Sequence, residues 1–289
     1  PSNDANNSDS IYTGTVADKF PGIAILGAGN MGGAIVAGLK PSLDADNPIR
    51  VTTQSRASAG ERASDVVMVR SLEDDPGSNL WAVEDADIVV LGVKPRYILE
   101  LLSEIASHAK PDAVMVSIAA GVTISQLEAV WPGAVIRTMP NTPAQVGKGV
   151  TGLSVGSRVS AFQVAAVTSI FESVGAVIRV EETQINALST FSGSGPAFVY
   201  FFIERFVEVA KEFGFSNHDA RVMVEETFAG AMDLLEASGE TPQALREAVT
   251  SPGGTTQAAL AVYEEADLSA IIRAASAAAI ARAQELAGG

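Results

Sequence analysis

The chain has 289 residues, 47% hydrophobic and 18% charged, with a formal net charge of −15 and no cysteine. That length holds two modest domains with their own cores, and the acidity argues against nucleic acid or an anionic membrane surface as a partner. Thiol nucleophiles, disulfides and thiolate-bound metals are excluded, and two histidines, His108 and His218, are too few for a multi-histidine metal site, so no metal is expected.

In chain order, residues 1–18 are rich in Ser, Asn and Asp and read as a disordered leader. They lack the basic-then-apolar start of a signal peptide, so a cytoplasmic location is expected. The most apolar long segment, Ala197 to Phe213, carries Glu204, Arg205, Glu208 and Lys211, which argues against a membrane span.

Ile23-Ala24-Ile25-Leu26 reads as a short buried strand, and Ala34 to Leu39 as an apolar helix. Between them stands Gly27-Ala28-Gly29-Asn30-Met31-Gly32, the G-x-G-x-x-G pattern in the setting it requires. The first glycine makes the turn, the second lets a pyrophosphate approach, and the third lets helix and strand pack closely. A second strand, Ile49 to Thr53, ends in Gln54-Ser55-Arg56. An NAD-binding fold places a carboxylate there. A hydroxyl and a guanidinium instead suit a 2′-phosphate, so NADP(H) is the expected cofactor, with NAD(H) as a second.

Further strands are predicted at 66–69, 88–93, 113–118, 135–137, 149–155 and 176–180, with helices over 96–107 and 159–172 among them. Near-continuous apolar strands alternating with helices mean a mostly parallel sheet covered on both faces. Ligands bind at the carboxyl ends of such strands. Val93-Lys94-Pro95, Ala119-Ala120-Gly121 and Met139-Pro140-Asn141 all fall there and outline a crevice.

The pattern changes after about Glu182. A Rossmann-type domain is therefore assigned to 19–182 and an all-helical domain to 183–289. Pro196 is well placed to start a helix. That helix is apolar over much of its circumference through Phe198, Val199, Tyr200, Phe201, Phe202, Ile203, Phe206 and Val207. Such a helix must be buried on most sides, and a partner subunit is the expected cover. Farther on, Ser251-Pro252-Gly253-Gly254-Thr255-Thr256 interrupts the helices and opens a new one. Free N–H groups at that start favour an anion, whereas the plainer reading is an interhelical turn with a Thr cap.

Taken together, Gly27 to Gly32, Val93-Lys94-Pro95, Arg137 to Pro143, Ser192 to Ala197 and Leu245 to Leu260 resemble the pyrroline-5-carboxylate reductase family. They occur in the family's order and cover the chain from about Phe20 onward. The family's usual polar residue three before Ser251 is Ala248 here. The resemblance implies reduction of L-1-pyrroline-5-carboxylate to L-proline by NAD(P)H, the last step of proline biosynthesis. It further implies a helical domain that dimerises, giving a homodimer or an oligomer of dimers. The substrate carboxylate is expected on the turn at Ser251, Gly253, Gly254 and Thr255, and the Thr256 hydroxyl on the ring nitrogen. Cofactor contacts are expected from Gly27, Ala28, Gly29, Asn30, Met31, Gly32, Ser55, Arg56, Val93, Lys94, Pro95, Ala119, Ala120 and Asn141. Two alternatives stand beside this. A β-hydroxyacid dehydrogenase wants a catalytic lysine on the first long helix after the sheet, yet none lies between Lys148 and Lys211. A non-catalytic NADP-binding protein would keep the glycine loop without needing Ser251 to Thr256.

Overall fold

Apolar runs flanked by helices build one continuous sheet. The computed structural model describes residues 21–287, so the leader expected over 1–18 lies outside the described residues. The described residues form eight strands: β1 (Ile23–Leu26), β2 (Ile49–Thr53), β3 (Val67–Ser71), β4 (Ile88–Leu91), β5 (Val114–Ser117), β6 (Ala134–Met139), β7 (Gly149–Val155) and β8 (Gly175–Arg179). Their spatial order is β3-β2-β1-β4-β5-β6-β7-β8, and every neighbouring pair is parallel except β6 with β7.

Connecting helices are α1 (Asn30–Leu39), α2 (Arg56–Arg62), α3 (Ser78–Val83), α4 (Ile98–Ile105), α5 (Ile124–Glu128) and α6 (Ala161–Glu172). Alternate residues of the central strands feed two cores. Ala24, Leu26, Val89, Leu91 and Met115 pack with α3, α4 and α5, whereas Ile23, Ile25, Ile88, Val90 and Val116 pack with α1 and α6. Because both faces are covered, these strands show continuous rather than alternating hydrophobicity. Each fully buried Ile or Leu contributes about 1.5–3 kcal/mol.

Past Arg179 no further strand occurs among the described residues. The helices there are α7 (Ile185–Leu188), α8 (Gly195–Glu212), α9 (Asn217–Ser238), α10 (Pro242–Ala248), α11 (Thr255–Glu265) and α12 (Leu268–Ala287), with a π-helical turn over Ser189–Gly193 before α8. Both packing and charged contacts join this region to the sheet. Gly152 on β7 leaves room for Leu188, whose methyls would stand 2.7 Å from any added Cβ. Glu182 accepts from the Ile124 N–H at 2.7 Å and from buried Arg137 Nη1 at 3.0 Å. Within the helical region α8 packs on α9, with Phe206 and Phe228 edge to face. No residue of α8 is buried, and Tyr200 and Phe201 are more than half exposed.

Candidate active site

The order of strands reverses at β1, which pairs with β2 on one side and β4 on the other. The loops leaving β1 and β4 must therefore diverge, and a crevice opens between them. The glycine loop leaves β1, and its three glycines do three different things. Gly27 has φ +83, which L side chains rarely adopt, and a Cβ there would lie 2.8 Å from Val93 Cγ1. A Cβ on Gly32 would lie 3.1 Å from Gly27 O, so its absence lets α1 sit directly on the strand end. A Cβ on Gly29 would meet nothing within 4 Å. Gly29 is also the N-cap of α1 and offers no side-chain cap to the helix's first N–H groups. The loop thus presents unsatisfied donors around an open cradle that any side chain at Gly29 would fill. That arrangement suits a pyrophosphate. The loop's base is pinned by Thr52, whose carbonyl accepts from the N–H groups of Gly27 and Ala28 at 3.2 and 2.8 Å. The Thr52 hydroxyl accepts from Gly27 N–H and donates to Asn79 Oδ1. Nothing in the sequence singled out Thr52 or Asn79, because both act through fold contacts.

Opposite the loop, Gly92 approaches so closely that a Cβ would lie 2.7 Å from Gly27 O. Val93, Lys94 and Pro95 follow it, with Lys94 exposed and in no ion pair among the described residues. Ala119 and Ala120 leave β5, where Ala119 N–H donates to Ser117 Oγ at 3.3 Å. Buried Asn141, at the end of β6, is held at both ends of its amide. Its Nδ2 donates to Ser192 O in the π-helical turn at 2.9 Å, and its Oδ1 accepts from Val150 N–H at 2.8 Å. One amide hydrogen and one lone pair remain for a ligand.

At the far end of β2, Ser55 caps α2 by accepting from Ser58 N–H, and Arg56 is the first helical residue. No helix is expected here from the residues alone. Arg56 Nε donates to Asp74 Oδ1 at 2.7 Å, Nη2 contacts the same oxygen, and the Arg56 N–H donates to Glu73 Oε2 at 3.0 Å.

The turn before α11 belongs to the helical region, and α10 and α11 pack on no strand beyond incidental approach. Gly253 takes φ +71. Its N–H donates to Gln257 Oε1 at 2.6 Å, and Gly254 N–H donates to Ser251 O at 3.0 Å. The expected backbone donors at Gly253 and Gly254 are therefore already satisfied within the turn. The N–H groups of Thr255 and Thr256, at the start of α11, keep no acceptor because a first helical turn has none. Gly254 is the N-cap and supplies no side chain. Neither threonine hydroxyl has a partner among the described residues, so the plain cap reading does not describe them.

Residues 182–286 match the family described as pyrroline-5-carboxylate reductase dimerisation, and residues 22–121 match the family described as NADP oxidoreductase, coenzyme F420-dependent. A pyrroline-5-carboxylate reductase from Pseudomonas aeruginosa is 37% identical, with 92% of this chain and 97% of that protein covered. A solved pyrroline-5-carboxylate reductase from Coxiella burnetii superposes with TM-score 0.85 at 33% identity, covering 93% of this chain and 99% of that one. A Plasmodium falciparum pyrroline carboxylate reductase solved with NADP bound gives TM-score 0.77 at 25% identity, covering 92% and 98%. Since the likeness runs through both the glycine-loop half and the helical half, this chain belongs to the pyrroline-5-carboxylate reductase family.

Proposed function

We infer that this chain reduces L-1-pyrroline-5-carboxylate to L-proline with NAD(P)H, the last step of proline biosynthesis. The observation that carries the reading is the 37% identity over 92% of the chain to a reductase of that name. The open cradle at Gly29 supports it independently, since the loop fits a dinucleotide pyrophosphate.

In this reading Gly27, Ala28, Gly29, Asn30, Met31 and Gly32 hold the pyrophosphate, while Ser55 and Arg56 meet the 2′-phosphate. Val93, Lys94, Pro95, Ala119, Ala120 and Asn141 wall the nicotinamide half. When bound, NADPH supplies the hydride. The protein's own part is to hold the imine carbon in line and keep water away. The free N–H groups of Thr255 and Thr256 receive the substrate carboxylate within the turn formed by Ser251, Gly253 and Gly254. The Thr256 hydroxyl hydrogen-bonds the ring nitrogen. A threonine hydroxyl is a poor acid, so its role is to orient the imine.

The working unit is a homodimer, able to assemble further, that covers the apolar surface of α8. The exposure of Phe198, Phe201, Phe202 and Phe206 supports this, as does the matched dimerisation family. In this dimer the Ser251–Thr256 turn stands at the subunit boundary. A cytoplasmic setting belongs to the reading as a biosynthetic reductase. Among the described residues no helix is long and apolar enough to cross a membrane. The test is NADPH oxidation with pyrroline-5-carboxylate, run beside NADP reduction with 3-hydroxyisobutyrate. Turnover in the first alone supports the reading, and turnover in the second alone replaces it with the hydroxyacid dehydrogenase.

A further inference from the structure

We propose that Asp74 is a specificity-determining residue: by holding the Arg56 guanidinium, it sets how strongly the chain prefers NADPH over NADH. This rests on the dinucleotide reading of the crevice.

Parallel pairing of β2 with β3, Thr53 opposite Ser71, sets the loops after the two strands side by side. The pairing runs on past the strands, with Leu72 N–H donating to Thr53 O and Glu73 N–H to Gln54 O. Arg56 is thereby brought against Glu73 and Asp74, seventeen and eighteen residues away. Asp74 does not meet it as a loose surface charge. One carboxylate oxygen accepts from Arg56 Nε at 2.7 Å, and the other accepts from Ser71 Oγ at 2.6 Å. The Asp74 N–H returns to Ser71 Oγ at 3.1 Å, so the carboxylate is fixed before any ligand arrives. The hydrogen bond from Arg56, then that from Ser71, holds its carboxyl below the usual carboxylate range. It is therefore charged at neutral pH.

Charge decides the consequence. The guanidinium is paired with Asp74, and the Glu73 carboxylate accepts from the Arg56 backbone N–H beside it, so one cation stands among two carboxylates where a cofactor phosphate of about −1.5 to −2 must sit. A 2′-phosphate must draw Arg56 off Asp74, whereas a 2′-hydroxyl makes no such demand. The Arg56 side chain is 77% exposed and that of Asp74 38%, so this is a screened pair, and such pairs shift equilibria by about fivefold at most. Removing a like charge beside the phosphate adds to that. Asp74 thus tunes the preference of the subsite without abolishing its selection for the 2′-phosphate.

The experiment titrates NADPH and NADH into the 289-residue protein by fluorescence and compares the ratio of their dissociation constants. Asp74→Asn should raise the ratio in favour of NADPH by about three- to tenfold. Arg56→Ala should bring it close to one, and adding Asp74→Asn to Arg56→Ala should move it less than about twofold. An unchanged ratio in Asp74→Asn overturns the proposal. So does an equal rise in the Arg56→Ala background, because Asp74 would then act on the phosphate without Arg56. Wild-type protein that binds neither nucleotide removes the dinucleotide reading itself, which separates the two failures. A thermal melt of Asp74→Asn matching wild type shows that the ratio, and not folding, has changed.

Discussion

Alanine at Gly29 and alanine at Gly92 should fail in opposite ways. At Gly29 a Cβ meets no atom within 4 Å and φ is −72, an ordinary value for an L residue. The substitution trades a small loss at an N-cap against a small gain from a stiffer unfolded chain, so stability should stay within about 1 kcal/mol of wild type. The new methyl occupies the cradle, however, and NADPH affinity should fall about ten- to a hundredfold, or roughly 1.4–2.7 kcal/mol. At Gly92 the Cβ lies 2.7 Å from Gly27 O and 3.1 Å from Leu26 O, both backbone atoms that cannot swing aside. Overpacking of this kind costs about 1–3 kcal/mol, and binding should weaken only as far as the loop distorts. Chemical denaturation of both variants, paired with fluorescence titration of NADPH, separates the effects. A Gly29→Ala protein that binds NADPH like wild type would show that the loop is a structural turn and refute the cradle.

Three further outcomes follow from the contacts. Glu182→Ala leaves Arg137, which is 5% exposed, without its carboxylate and frees the Ile124 N–H; unfolding free energy should drop by about 2–4 kcal/mol in urea titration. Asn141→Ala strands Val150 N–H and Ser192 O, so a loss of about 2–4 kcal/mol is expected in the same titration, with Asn141→Asp recovering the Val150 bond. Sedimentation at low micromolar concentration should show no folded monomer, and Phe201→Asp on the exposed face of α8 should dissociate or unfold the assembly; an active monomer would contradict the dimer.

The sheet was legible because its strands are apolar runs between glycine- and proline-marked turns, and all eight occur where the sequence sets them. The glycine loop was legible for the same reason, since motif and context agree. Short helices were not: α2, α3 and α5 each span seven residues or fewer, too short for a 3.6-residue period to stand out. Side-chain commitments were also hidden. Arg56 reads as a free guanidinium until the β2–β3 pairing brings Asp74 to it, although the acidic run Glu73-Asp74-Asp75 after a neighbouring strand is a usable hint. Similarly, Gly253 reads as an open donor until Gln257, one helical turn on, folds back to it. Sequence shows which groups are available; the fold decides which are already taken.

The most direct test is steady-state NADPH oxidation with pyrroline-5-carboxylate in Thr256→Val beside Thr256→Ser. Valine keeps the shape of the side chain and removes a hydroxyl that has no partner among the described residues. If that hydroxyl orients the imine, turnover should fall by about one to two orders of magnitude, since a single hydrogen bond to a charged group contributes on the order of 1.5–3 kcal/mol. NADPH affinity should stay near wild type, and serine should retain most of the activity. Full turnover in Thr256→Val would contradict the account and leave this threonine a helix-start residue with no part in the reaction.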